Sequence, residues 1–310
     1  MKNKAINKLF KMLFLFGVSL AILDFSIGFA LNYMTVNQKD GNYHKLINCI
    51  ENKELDLVIL GNSRAERQFI PSIISMETGL SAYNLGYGGR DLNFVDALTS
   101  VIVSRNPPKY LMVEFQLSNF RMPINQDRMS FLNPFYYRYP ELQPFLNRGE
   151  ISRKLAFSSS LFQFNSSLWD IVSPYFQKVE LEQGYRPLYG KLKMNKPKQF
   201  KEEESEEEVE IMLPEIQVVF ENIVAETAKN NIKLIVVLSP QFNKEHNENK
   251  FAMEKQYLNQ FEDIIIWDYS QDSRFTEVPI LFNDIRHLNH HGSQIFTKLI
   301  AERIKNELLN

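Results

Sequence analysis

The sequence predicts an α/β fold, a mostly parallel sheet that carries a long insertion and is preceded by one transmembrane helix. Three observations predict it. Short apolar runs alternate with segments of helical periodicity from Leu55 onward, the pattern of a sheet covered on both faces. That alternation lapses between about residues 120 and 213 and then resumes. An apolar run, Met12–Leu31, broken by the single charge of Asp24, follows Lys2, Lys4, Lys8 and Lys11.

The N-terminal run is long enough to span a bilayer, because twenty residues at ~1.5 Å each reach ~30 Å, the thickness of the hydrocarbon core. The lysines keep the short preceding stub in the cytoplasm, which puts the rest of the chain on the far side. The expected division is therefore 1–32 for stub and signal-anchor, 33–54 for a linker, and 55–310 for the domain, with its insertion at about 120–213. A cleaved signal peptide is the rival, since Gly28-Phe29-Ala30 has the small-x-small form of a cleavage site. Against it, the apolar stretch outruns a signal core and continues through Phe25, Ile27 and Phe29. Asp24 costs roughly 2.5 to 3.5 kcal/mol near the centre of a spanning helix. Two solutions stand open: a contact with another membrane protein, or a shift of the helix that brings Asp24 to the outer interface.

The first strand is expected at Leu55–Leu60, ended by Gly61, and the second at Ala82–Leu85, which runs into Gly86, Gly88 and Gly89. Asp91 reads as the N-cap of a helix carrying Phe94, Val95, Leu98 and Val101, and Pro107-Pro108 stops it before a third strand at Tyr110–Phe115. The insertion is crowded with Phe, Tyr, Pro and Asn, and its aromatics form either a small core or the lining of a sugar or acyl groove. The acidic run Glu202–Glu210 reads as a solvated helix start or linker. A helix at Ile216–Ala228, a strand at Ile232–Leu238 stopped by Pro240, a helix at Glu248–Phe261 and a strand at Ile264–Trp267 follow. The loop Asn283–Asn289 and a helix to about Leu308 close the chain, and no internal repeat is present.

A net charge of -2 and no basic stripe with interleaved aromatics exclude a nucleic-acid partner. The lone cysteine, Cys49, forms no intramolecular disulfide and is preceded by Asn48 rather than by a lipobox.

Two loops carry chemistry. Gly61-Asn62-Ser63-Arg64 follows the first strand and opens a helix, so Ser63 stands at the carboxyl edge of the sheet, where open α/β sheets bind ligands. Free N–H groups and the positive dipole end favour developing negative charge there. Asn and Ser are also ordinary N-cap residues, and position alone leaves that reading open. Asp284-Ile285-Arg286-His287 precedes the last helix and is expected just after the last strand, at the same edge. An Asp three residues before a His reaches its Nδ1 and leaves Nε2 to act as a general base toward Ser63. A surface ion pair would have the same spacing, and Asp284 with His287, His290 and His291 would also offer metal ligands.

Taken together these blocks resemble the SGNH (GDSL-like) hydrolase and acyltransferase superfamily, in order and over the chain from about Leu55 to the C-terminus. Gly61-Asn62-Ser63-Arg64 is similar to its nucleophile block in the Gly-x-Ser-Arg form of its membrane-anchored members. Tyr83-Asn84-Leu85-Gly86-Tyr87-Gly88-Gly89 resembles its second block, with Gly89 the best match for the oxyanion glycine and Gly86 next. Asp284-Ile285-Arg286-His287-Leu288-Asn289, with Gly292 beyond, resembles its terminal block. The third block, Gly-x-Asn-Asp, is represented only by Gln116-Leu117-Ser118-Asn119.

The resemblance implies a three-layer flavodoxin-like domain with Ser63 as nucleophile, His287 as base and acid, and Asp284 as its orienter. Oxyanion donors are implied at Ser63, Gly89 and Asn119, with no cofactor and no metal. An N-terminal anchor before such a domain resembles bacterial proteins that O-acetylate cell-surface or secreted polysaccharides beside a multi-pass membrane O-acyltransferase. The implied partners are an acyl donor, a polysaccharide acceptor and the membrane through residues 12–31, and the implied location is the extracytoplasmic face of a bacterial cell membrane. A carbohydrate or lipid esterase with the same triad, and a non-catalytic glycan-binding assembly factor, are the alternatives.

Overall fold

The computed structural model describes residues 2–51, 54–179, 181–193, 211–242 and 251–309. The acidic run Glu202–Glu210 and the expected helix start at Glu248 lie outside the described residues. The chain forms two compact units, Met1–His44 with Met129–Lys178, and Lys45–Arg128 with Val179–Asn310.

The second unit is the α/β domain. Helix α2 (Gly41–Glu51) leads into it, followed by β1 (Leu57–Leu60), α3 (Ser63–Gln68), α4 (Pro71–Thr78), β2 (Ala82–Asn84), α5 (Leu92–Arg105) and β3 (Tyr110–Glu114). The five strands pair in the order β2-β1-β3-β4-β5, and all four pairings are parallel, with Leu57 facing both Ala82 and Tyr110. This is the flavodoxin-like order, in which the chain reverses direction across the sheet between β1 and β3. The expected fold class is the one observed.

The strands are largely apolar because both faces are covered, with the polar residues Asn84, Glu114, Lys233 and Asp268 at their ends. Leu57, Ile59, Met112, Ile235, Val237 and Trp267 share one core with Phe296 and Ile300 of the last helix. Val58, Leu60, Val113 and Val236, alternating with them, are buried toward the other face. Asp91 caps α5 as the sequence predicts, its Oδ1 accepting from Phe94 N–H at 3.2 Å.

The first unit joins α1 (Lys2–Val36) to the segment Met129–Lys178. That segment coils through short helices, α6 (Gln143–Asn147), α7 (Ile151–Ala156), α8 (Ser160–Phe164) and α9 (Leu168–Val172). Its aromatics make a small core: Tyr136 stacks on Phe157 at 3.8 Å between ring centroids, and Tyr43 stacks on Phe131 at 4.6 Å. Helix α1 is long and apolar enough to cross a membrane.

The α/β domain then resumes with α10 (Pro214–Lys229), β4 (Lys233–Leu238), α11 (Ala252–Leu258), β5 (Ile265–Asp268), α12 (Ser273–Thr276) and α13 (His290–Ile304). The stretch between β5 and Asp284 corrects the expectation of a direct connection. It holds α12 and a 3-10 turn, Pro279–Leu281, because Phe275, Leu281 and Phe282 are apolar enough to be drawn into the core.

Candidate active site

Ser63 is the first residue of α3, directly beyond β1. Asn62 caps the helix, its Oδ1 accepting from Arg64 N–H at 2.9 Å. The turn requires glycine at position 61, where φ is 141° and a Cβ would lie 2.8 Å from the Glu114 carbonyl oxygen. The loop after β2 is tied to the same edge, with Leu85 N–H donating to Ile59 O and Tyr87 N–H to Gly61 O.

The loop that bears Asp284 and His287 is held as a tight hairpin. Phe282 and Leu288 form an antiparallel bridge, and Asn283 N–H donates to His287 O at 2.9 Å. Asn289 donates through Nδ2 to Ile280 O and caps α13 by accepting from Gly292 N–H. A side chain at Gly292 would strike the Leu281 carbonyl, at 2.2 Å from its Cβ. Phe242 N–H donates to Ile285 O, which joins this hairpin to the loop after β4. Helix α13 is bolted to α3 by Ser293 Oγ, which donates to Arg67 O, and by Thr297 Oγ1, which donates to Gln68 O.

These constraints bring two loops 224 residues apart into contact: Ser63 Oγ lies 2.7 Å from His287 Nε2. On the other side of the ring, His287 Nδ1 is 2.8 Å from Asp284 Oδ1 and 3.1 Å from Oδ2. Burial pushes the Asp284 carboxyl up. Hydrogen bonds from His287, Asn283 and the Arg286 N–H outweigh it and hold the carboxyl at about 2, so it is ionised at neutral pH. A half-buried, ionised carboxylate on Nδ1 fixes the tautomer that leaves Nε2 free to accept the serine proton.

The glycines of the second block have separate tasks. Gly86 N–H is already donated to Asn84 Oδ1, and a Cβ there would sit 2.5 Å from Glu66 N. Gly86 therefore serves close packing onto α3. Gly88 stands beside the serine, its Cβ position 3.6 Å from Ser63 Cβ. Gly89 adopts a left-handed φ of 72° in open surroundings. Asn119 uses its Oδ1 to accept from Gln116 N–H at 3.0 Å, in a capping box that opens a 3-10 turn, Leu117–Arg121.

Sequence reasoning missed the ionic foundation of the site. Arg64 pairs through Nε with Glu114 Oε1 at 2.9 Å, both side chains at most 4% exposed. Its other nitrogens donate to Ser239 O and Gln241 Oε1. One side chain thus ties together the ends of β1, β3 and β4 beneath Ser63. Burial pushes the Glu114 carboxyl up, against the pull of Arg64. Glu66, one turn beyond, takes Lys45 at 3.7 Å and Arg186 at 3.3 Å, and Lys45 Nζ donates to Gly86 O. Burial brings Lys45 down to about 8. The available signal was a glutamate ending the apolar strand β3 and a lysine on the apolar face of α2.

Of the imagined metal ligands, His290 bonds Tyr185 through Nδ1 at 3.0 Å and His291 is exposed. Among the described residues no group of three or more His, Cys, Asp or Glu side chains is placed to share a metal ion.

No family model and no curated protein matches the chain. Among solved structures it is similar to a gut microbial diltiazem-metabolizing enzyme, at 13% identity and a TM-score of 0.35 over 81% of this chain. The chain spans about half, 47%, of that enzyme's length.

Proposed function

We propose that this protein transfers an acyl group, most simply acetyl, through an acyl-serine at Ser63 to a hydroxyl of a cell-surface or secreted polysaccharide. The observation that carries the acyl chemistry is the unbroken contact from Ser63 Oγ to His287 Nε2 and from His287 Nδ1 to Asp284. Ser63 Oγ attacks the carbonyl carbon of the acyl donor as its proton passes to Nε2. The same proton then leaves with the departing group of the donor. In the second half a sugar hydroxyl gives its proton to Nε2 and attacks the acyl-serine, which restores Ser63. Asp284 keeps the ring oriented and stabilises the imidazolium in both halves. The Ser63 and Gly89 N–H groups and the Asn119 amide serve as oxyanion donors.

Transfer to a polysaccharide rests on the resemblance to SGNH proteins stated above and on an anchor of the right kind. Residues 12–31 span the membrane, the lysines stay cytoplasmic and the α/β domain works on the extracytoplasmic face of a bacterial cell, beside a multi-pass O-acyltransferase that supplies the acyl group.

Two measurements test this reading. A serine-directed fluorophosphonate should form an adduct on Ser63, and His287→Ala should slow it by ~10²- to 10⁴-fold, the usual worth of a general base. Labelling that ignores His287 would sink the triad. With an acetyl donor, product should depend on an oligosaccharide acceptor; release at full rate without one makes the protein an esterase. Unchanged acetylation and ester cleavage in Ser63→Ala would leave only a glycan-binding role.

A further inference from the structure

Asp24, the charge inside the apolar run, has its partners in its own chain. Its carboxylate accepts from Ser159 Oγ at 2.7 Å, from Ser160 N–H at 2.8 Å and from Leu161 N–H at 2.9 Å, the donors that open α8. The two helices touch closely at Gly28, where a Cβ would lie 2.0 Å from Ser160 Cβ. Farther along, Gln38 Nε2 donates to Asp170 O and Ile171 O in α9, and Tyr175 OH donates to Met34 O. Helix α1 accordingly shows two zones. Every side chain from Lys4 to Leu23 is exposed, and from Asp24 onward one stripe, Gly28, Leu31 and Thr35, is buried.

Depth follows from helix geometry. With Lys11 at the inner boundary, Asp24 lies thirteen residues farther on, ~20 Å, in a hydrocarbon layer ~30 Å thick. Asp24 and the helix N-terminus that caps it then sit ~10 Å below the outer boundary, and snorkelling of Lys11 raises them by only a few ångströms. The insertion bears the surface that such a position requires. Ile151, Leu155, Trp169 and Phe176 are 67–81% exposed, and Leu161, whose N–H meets Asp24, is 45% exposed. Arg153, Lys154 and Lys178 lie on the same segment, the mixture of aromatic, aliphatic and basic side chains found at a lipid interface.

We infer that helices α7 and α8 ride in the outer half of the bilayer alongside α1 and that α9 and Phe176, whose segment meets the chain at Met34 and Gln38, lie at its outer interface, with phospholipid covering Ile151, Leu155, Trp169 and Phe176. A second protein is disfavoured as the occupant because this surface continues the lipid-facing surface of α1. The inference rests on the reading of α1 as a spanning helix, and the experiment separates the two.

The chain has two tryptophans, exposed Trp169 and fully buried Trp267. The full-length protein is reconstituted in phosphatidylcholine vesicles whose acyl chains carry bromine just below the ester carbonyls, and Trp169→Phe gives the Trp267 background. The difference emission, which is Trp169 alone, should fall about twofold against unbrominated vesicles and should resist aqueous acrylamide, as for a side chain at the interface. Emission from Trp267 in the variant reports that the fold is intact. Alkaline carbonate extraction of the same vesicles reports on the span. Protein that stays with the membrane while Trp169 is quenched by acrylamide and not by bromine overturns the inference and leaves the span standing. Release into the soluble fraction overturns both.

Discussion

The ion pair beneath the serine gives the sharpest test of how the site is held. Arg64→Met removes the guanidinium and leaves Glu114, whose side chain is 0% exposed, without its cation. Breaking a buried pair from one side costs ~3–5 kcal/mol, because the remaining charge keeps its desolvation penalty. At ~2–4 °C per kcal/mol for a unit of this size, the melting temperature should fall by ~6–20 °C. The effect should depend on pH in a set direction. Burial already pushes the Glu114 carboxyl up, and loss of Arg64 pushes it further. An acid whose folded value lies above its unfolded one adds stability at low pH and loses it as pH rises through the folded value. The deficit of Arg64→Met should therefore be smallest at acid pH, toward the ordinary glutamate value of 4.5, and widen as pH rises. Adding Glu114→Leu removes the stranded charge and should recover most of the loss, since apolar replacement of a whole buried pair is often neutral. The assay is thermal unfolding of the full chain in detergent, followed by Trp267 in a Trp169→Phe background. A double variant no more stable than Arg64→Met, or a deficit indifferent to pH, would refute the reasoning.

Three further outcomes follow from the site's geometry. Gly86→Ala, whose Cβ would meet Glu66 N at 2.5 Å, should lower stability by ~1–3 kcal/mol, whereas Gly88→Ala, at 3.3 Å from the Glu66 carboxylate and 3.6 Å from Ser63 Cβ, should lower it less yet label more slowly with a phosphonate. Asp284 falls from its ordinary value of 3.8 to about 2, so its contribution is present above pH 3.8 and is lost as pH drops toward 2. After screening at its partly exposed position that is roughly 1 kcal/mol, and the acid limb of a melting curve should be flatter in Asp284→Asn than in the wild type. Asn119→Ala should cost ~0.5–2 kcal/mol by removing the cap and ~10²- to 10³-fold in turnover as an oxyanion donor; normal turnover with a lowered melting point would assign Asn119 to capping alone.

Most of the α/β framework could be read from local signals. The apolar runs ended by Gly61 and Pro240 are strands within two residues of the expected limits, and the Asp91 cap is where spacing put it. The approach of Ser63 to His287 was legible too, because in a parallel sheet loops at one edge must converge. What stayed hidden was set by tertiary contact. Nothing local distinguishes Gly86, Gly88 and Gly89, whose tasks depend on what stands opposite each: the first turn of α3, the serine, and open space. The connection from β5 to Asp284 read as a short loop because α12 has only four residues, Ser273–Thr276, too few for a helical period to show.

The polar groups set in apolar runs share one logic. Lys45 interrupts the buried face of α2, Glu114 ends β3 and Asp24 breaks α1, and in each case the pattern marks the position without naming the partner. The answering groups are Glu66 and Gly86 O, Arg64, and the donors opening α8, separated in sequence by between about twenty and more than a hundred residues. Desolvating a charge is tolerable only where donors or counter-charges are already in place, so each of these positions commits a distant segment to one location. Lys45 and Glu114 commit the loops around Ser63 to the edge of the sheet. Asp24 commits Ser159–Leu161 to α1, which is why a stretch that reads as an insertion of the α/β domain packs instead with the N-terminal helix.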